Sequence, residues 1–280
     1  CCGGAGGGGG AGAAGEDAGG AALGIPTDAL PQLRRMFNAC VGRPQGVLLE
    51  NDVVQIGVRQ EYRGSQGRVA VVVVNRSAQD LTGVSVAMGD APYLTVQRTA
   101  EPAVRVAVGD TTQLGLAVEC MQPFADAPEV AVGFSAGGVR YRLPLRLPVL
   151  ATAFMEPVQL DGQAYMERWR KLDGGEQESQ EVFAASEPIT PELMARAVAV
   201  ITQGLRMGRA QGLDQTEFTV TAAATLRTGT VAPDGVTRLS VGAMARLEAN
   251  GATGQFRITS RSPHPSLSLA IRRVVVGQLG

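Results

Sequence analysis

Residues 52–75 read Asp52-Val53-Val54-Gln55-Ile56-Gly57-Val58-Arg59-Gln60-Glu61-Tyr62-Arg63, a break at Gly64-Ser65-Gln66, then Gly67-Arg68-Val69-Ala70-Val71-Val72-Val73-Val74-Asn75. β-Branched residues recur in the first run and dominate the second, and turn-forming residues part them, which predicts two strands meeting at a tight turn. The unbroken apolar run Val69–Val74 reads as a strand buried on both faces. Further strands are expected at Leu81–Met88, Leu94–Gln97, Val104–Val108, Thr112–Cys120, Glu129–Phe134 and Gly138–Leu147. Within the last, Val139-Arg140-Tyr141-Arg142-Leu143 alternates apolar and polar, the period of a half-buried strand. About eight short strands in roughly a hundred residues predict an immunoglobulin-like β-sandwich over residues 47–150.

After Pro148 the pattern changes to a mixture of helices and strands, so residues 151–280 are expected to form a second, α+β platform subdomain. Helices are predicted over Asp161–Leu172, over Glu176–Ala185, and from Thr190-Pro191-Glu192-Leu193, which offers a capping threonine and a proline at the first helical position. That third helix carries Leu193, Ala197, Ile201 and Leu205 and should end near Gly208. Strand-like runs follow at Glu217–Arg227, Val236–Leu247 and Gln255–Ser260, then a final helix capped at Ser262-Pro263. At the other end, residues 1–23 are almost wholly Gly and Ala and read as a flexible hinge, with 24–46 a linker or short helical lead-in. The chain starts with Cys rather than Met and reads as a piece of something longer.

Composition removes several function classes. A net charge of −1 lacks the basic excess of a duplex-binding module, so no nucleic-acid partner is expected. The cysteines, Cys1, Cys2, Cys40 and Cys120, form no CxxC, and His264 is the one histidine, so no zinc site or other metal is expected. No cofactor motif stands in a credible context: GxGxxG matches occur only through glycine density in the hinge. Gly133-Phe134-Ser135-Ala136-Gly137 fits GxSxG, but a strand-like run rather than a helix follows it, so a hairpin turn is preferred over a serine hydrolase using Ser135.

Two clusters remain. Tyr165-Met166-Glu167-Arg168-Trp169-Arg170-Lys171-Leu172 holds the only tryptophan, with Asp161, Tyr165, Trp169 and Leu172 along one helical stripe and cations beside it. It reads either as core or as an exposed aromatic platform for an aromatic-plus-acidic peptide, since tryptophan and arginine dominate binding hot spots. Arg246-Leu247-Glu248 and Gln255-Phe256-Arg257-Ile258-Thr259-Ser260-Arg261 are the second cluster. Strand alternation groups Arg246 with Glu248, and Arg257 with Thr259 and Arg261. This face is either plain solvated sheet or, if it lies beside the tryptophan, a carboxylate-reading site.

These residues resemble the C-terminal appendage, or ear, of alpha-adaptin, a subunit of the endocytic clathrin adaptor. The resemblance starts at Leu48-Leu49-Glu50-Asn51-Asp52-Val53-Val54-Gln55-Ile56-Gly57 and is strongest at Arg168-Trp169 with Leu172 and at Arg246-Leu247-Glu248 with Asn250. It implies a non-enzymatic hub, without cofactors, whose platform binds DPF, DPW and FxDxF motifs on disordered accessory proteins during clathrin-mediated endocytosis. It also implies a cytoplasmic protein at coated pits on the plasma membrane, joined to the other adaptor subunits through a trunk. By motif position the peptide site comprises Tyr165, Arg168, Trp169, Arg246, Glu248 and Arg257. Met166 stands where the family has a second aromatic. A second site on the sandwich would fall at Val72 and Gln113, but the aromatic expected near Val72 is absent. The alternative is the appendage of another coat subunit, of beta-adaptin or coatomer type.

Overall fold

A computed structural model describes residues 22–172, 174–214 and 216–280; the expected hinge over 1–23 lies almost entirely outside them. A helix, α1 (Leu30–Cys40), leads into nine strands: β1 (Gln45–Glu50), β2 (Val54–Arg63), β3 (Gln66–Asn75), β4 (Leu81–Met88), β5 (Leu94–Ala100), β6 (Arg105–Val106), β7 (Thr111–Cys120), β8 (Glu129–Ala136) and β9 (Val139–Arg146). They form two antiparallel sheets, ordered β1-β2-β3-β7-β5 and β6-β4-β8-β9. Ile56, Val58, Val71, Val73, Leu114 and Leu116 of the first sheet share one apolar core with Val84, Val86, Val130, Val132 and Phe134 of the second. This is the predicted sandwich. β1 carries no distinctive strand signal in the sequence, and Val104–Val108 contributes only the two residues of β6.

β3 departs from the expectation of burial on both faces. Val69, Val71 and Val73 are buried, whereas Ala70, Val72 and Val74 are half-buried and face outward. A central strand is apolar on both sides here, but only its inner side meets the opposing sheet. Asn75, at the end of β3, looks like a glycosylation acceptor with Arg76 and Ser77. Its side chain is instead buried, and its amide donates to the carbonyls of Gln79, Val106 and Ala107 at 2.8, 3.0 and 3.1 Å.

Cys40 and Cys120 are buried free thiols. Burial raises both pKa values, that of Cys120 to about 12. A thiol held neutral by the fold stabilises it fully below the unfolded pKa near 9, and that contribution disappears as pH rises through the folded value. The buried phenols Tyr62 and Tyr165, also pushed up by burial, act in the same direction. The urea midpoint is therefore expected to fall between pH 8 and pH 11, and Cys120→Ala to flatten part of that slope.

The second half contains β10 (Met155–Val158), α2 (Gly162–Lys171), β11 (Glu178–Ala184), α3 (Pro191–Ala199), β12 (Gly208–Arg209), β13 (Thr219–Val231), β14 (Arg238–Asn250), β15 (Gln255–Arg261) and α4 (Pro265–Leu279). Its sheet runs β10-β13-β14-β15-β11, with β12 also pairing with β13. The predicted helix over Glu176–Ala185 is a correction: this segment is mostly the edge strand β11, paired along its whole length with β15. Glu and Gln favour helix locally, but cross-strand pairing and the Phe183–Phe256 ring contact decide the conformation. Asp161 caps α2 by accepting from the Ala164 amide at 2.8 Å, and Thr190 caps α3 through Leu193 at 3.3 Å. The third helix ends as α at Ala199 and runs on as a wider turn to Gly204. The last helix begins at Pro265 with His264 as its cap residue, two positions beyond the Ser262-Pro263 signal.

One face of this sheet presents Ala222, Ala224, Ala245, Leu247, Phe256 and Ile258 to a core that also holds Leu193 and Ala197 of α3 and Leu267, Ile271 and Val275 of α4. That core is continuous with the sandwich core. Phe154 joins the halves, packing edge-on against Tyr62 at 5.0 Å and against Phe124 at 6.5 Å. The long β13–β14 hairpin reaches back to the sandwich, where Arg238 pairs with Glu119 at 2.8 Å and Thr230 donates to the Met121 carbonyl. α1 is tied to α4 by Asn38 and Gln278, each amide meeting a backbone carbonyl of the other helix. The opposite face of the platform sheet is covered in part by α2 and by the 210–214 segment.

Candidate peptide-binding surface on the platform

Alternation along the platform strands sends Thr221, Ala223, Met244, Arg246, Glu248, Arg257, Thr259 and Arg261 to the face opposite α3 and α4. The register lines them up in rows: Glu248 opposite Arg257, Arg246 between Thr221 and Thr259, Met244 opposite Arg261. α2 lies across this face, with Leu160, Tyr165, Ala210, Ala223 and Met244 forming a small separate core beneath it.

Tyr165 is only 1% exposed. Its hydroxyl donates to the Ala245 carbonyl at 3.0 Å, and burial pushes the phenol far above its ordinary pKa, Arg246 offsetting part of the effect. It therefore cannot present the aromatic surface the resemblance implies. It is the floor on which Trp169 rests, the rings stacked at 5.6 Å and 18°. Trp169 remains partly exposed. Arg261 lies over its ring: the guanidinium carbon is 4.3 Å from the indole centroid, and Nη1 donates to the Trp169 carbonyl at 2.8 Å. Arg261 is in turn paired with Glu178 of β11 at 2.5 Å. Such a clamp fixes the indole orientation before any ligand arrives, which lowers the ordering cost of binding.

Beyond Trp169, Glu248 is shared by two arginines, Arg257 at 2.6 Å and Arg246 at 3.1 Å. Both guanidiniums are about half exposed, so each keeps donors free for an incoming group; the Arg246 Nε, by contrast, is buried without a partner among the described residues. Three arginines against Glu248 and Glu178 leave this rim with positive character. A ring resting on the indole with a carboxylate meeting Arg246 or Arg257 matches the chemistry of the surface. Of the expected site, Trp169, Arg246, Glu248 and Arg257 thus share one face. Arg261 is the residue sequence reasoning left out of the site, although alternation had grouped it with Arg257. Glu178, which orients it, was hidden by the mistaken helix.

The family model described as "Alpha adaptin AP2, C-terminal domain" matches residues 153–279, and that described as "Adaptin C-terminal domain" matches residues 44–142. The chain is 27% identical over 236 residues to the AP-2 complex subunit alpha-2 of Dictyostelium discoideum, covering 84% of this chain and 23% of the relative. It is 26% identical over 234 residues to the AP-2 complex subunit alpha of Schizosaccharomyces pombe, covering 81% of this chain and 24% of that one. The chain belongs to the alpha-adaptin appendage family. It spans about a quarter of the length of these curated relatives.

In this appendage Arg168 does not join the others. It is exposed and lines a different depression beside α2. On the sandwich, Val72 and Gln113 are direct cross-strand partners on the outward face of β3 and β7, with Gly57 of β2 on the other side of Val72. The structure brings that pair together, on a sheet face without an aromatic. Ser135 lies in β8 opposite Arg140 of β9. Gly137 and Gly138, both with positive φ, make the two-residue hairpin turn between these strands, so no strand–turn–helix elbow forms at Ser135. Among the described residues no helix is long and apolar enough to cross a membrane, and no cluster of ligating side chains could hold a metal ion.

Proposed function

We propose that this appendage is a non-catalytic recruitment module of a clathrin adaptor. Its platform binds DPF-, DPW- and FxDxF-type motifs on disordered accessory proteins, and so works on the cytosolic face of coated pits. The carrying observation is Trp169, partly exposed, stacked on buried Tyr165 and clamped by Arg261, with the half-exposed Arg246 and Arg257 on the same sheet face. A ligand ring would cover the indole, a burial worth about 1.5–3 kcal/mol. Its aspartate would meet the arginine rim. A few residues of disordered chain must also be ordered, so the expected Kd is tens of micromolar, roughly −6 kcal/mol. Repeated motifs and many adaptors on one coat would raise the avidity.

Titration with a fluorescent FxDxF peptide and a DPW peptide tests this. Saturable binding is expected, weakened by rising salt and by replacing the motif aspartate with alanine. Because Trp169 is the single tryptophan, its own emission should change on saturation. A folded chain that binds neither peptide up to about millimolar concentration, the weak limit of useful affinity, overturns the proposal. Charge reversal at the rim supplies a third expectation. Arg257→Glu should cost about tenfold or more in affinity, while the weakly contributing surface pair it breaks shifts stability by well under ~1 kcal/mol.

A further inference from the structure

A second depression lies beside the last turn of α2, where Arg168, Lys171 and Leu172 meet Gly242, Met244 and Pro263. Val158, Leu160, Leu172, Ala223 and Met244 wall it, and Arg168 and Lys171 stand among its lining residues. Its volume is about 240 Å³, below the roughly 300–1,000 Å³ of pockets that enclose small-molecule ligands. That size suits one side chain. Above Gly242, which is exposed, the space is open: a Cβ there would meet no atom within 4 Å. Among the described residues no carboxylate lines the depression. Glu156 on the adjacent strand is paired with Arg227 at 2.7 Å, and Glu167 accepts from Gln163 at 3.0 Å. Arg168 and Lys171 are exposed and make no ion pair among the described residues. The α2 dipole favours cations in this last turn, but it does not require an apolar hollow beside them.

We propose that this depression is a second subsite for acidic peptides. It takes an aromatic or long aliphatic side chain, and the carboxylates flanking that side chain pair with Arg168 and Lys171. The ligand class rests on the peptide-binding reading of the platform; the site is built from other residues, and Trp169 plays no part in it. The two sites share one helix, about 10–12 Å across with its side chains. At up to ~3.3–3.6 Å per extended residue, a ligand with two motifs a few residues apart can occupy both, which raises its effective affinity without new contacts.

The probe is a fluorescein-labelled Glu-Asp-Phe-Asp-Glu peptide, beside a version with glycine for phenylalanine. It is titrated into the wild-type chain and into Trp169→Ala, Gly242→Val, Lys171→Glu, and Trp169→Ala combined in turn with each of the last two. Valine suits a strand and its Cβ enters open space, so Gly242→Val fills the hollow without disturbing the fold, which circular dichroism checks. Trp169→Ala is expected to keep a weaker, saturable binding that the glycine peptide lacks. In that background Gly242→Val and Lys171→Glu each weaken it by about tenfold or more, equivalent to ~1.4 kcal/mol. Binding that vanishes with Trp169→Ala alone, or that neither Gly242→Val nor Lys171→Glu moves, overturns the second subsite and leaves the Trp169 site standing. Wild-type affinity in Trp169→Ala, abolished by Gly242→Val, does the reverse. No binding by the wild-type chain overturns both.

Discussion

Trp169→Ala is expected to weaken binding of DPW and FxDxF peptides at the rim of the platform about 30-fold or more while leaving the chain folded. The indole is partly exposed and lies outside the main core, so its removal costs contact area for the ligand more than packing for the protein. Truncating a central aromatic anchor typically costs 2 kcal/mol or more, about 30-fold. From a starting Kd of tens of micromolar, that places the variant near or beyond millimolar. Labelled peptide must report the titration, because the substitution removes the intrinsic fluorophore. Trp169→Phe keeps a ring on the Tyr165 floor and under Arg261, and should recover part of the affinity. Undiminished binding of both motif peptides by a folded Trp169→Ala chain would falsify the assignment of Trp169 as their anchor.

The largest effect on stability is expected at Tyr165. Replacement of this fully buried ring by alanine empties the small core under α2 and should cost about 3–5 kcal/mol. It also removes the surface on which Trp169 stacks. Tyr165→Phe keeps the ring and loses only the bond to the Ala245 carbonyl, a change of about 1 kcal/mol. Urea unfolding followed by circular dichroism separates the two. The pair also tests the division of labour between the rings: Tyr165→Phe should bind motif peptides as the wild type does, whereas Tyr165→Ala should bind them poorly even at temperatures where it is folded. Were Tyr165 a ligand contact through its hydroxyl, the phenylalanine variant would lose affinity instead.

Much of this molecule is legible in its residues because local patterns and tertiary demands coincide. Strands such as Val54–Arg63 and Val139–Arg146 alternate because one face meets a core, and Asp161, Thr190 and Pro191 start helices where the backbone needs capping. Where local preference and tertiary pairing conflict, the sequence misleads. Glu178–Ala184 has helix-favouring composition and one buried side chain, Phe183, yet β15 recruits it as an edge strand. Val69–Val74 looks buried on both faces because nothing in a run of valines records that only one face has a sheet opposite it.

The candidate site divides along the same line. Chemistry was readable: an aromatic helix with cations, and arginines and a glutamate on strand faces, set by periods of 3.6 and 2 that belong to the chain itself. Assignment of roles was not. Tyr165 and Trp169 are four residues apart on one stripe, and only the approach of the sheet buries the first and leaves the second at the surface. Arg168 and Trp169 are neighbours in sequence, but Arg168 lines a depression that Trp169 does not. Arg261 and Glu178 are 83 positions apart and meet because β11 and β15 pair. Residue type and spacing determine which groups an element can display; which of them become floor, clamp or open surface depends on where that element is laid down, and long-range packing decides that.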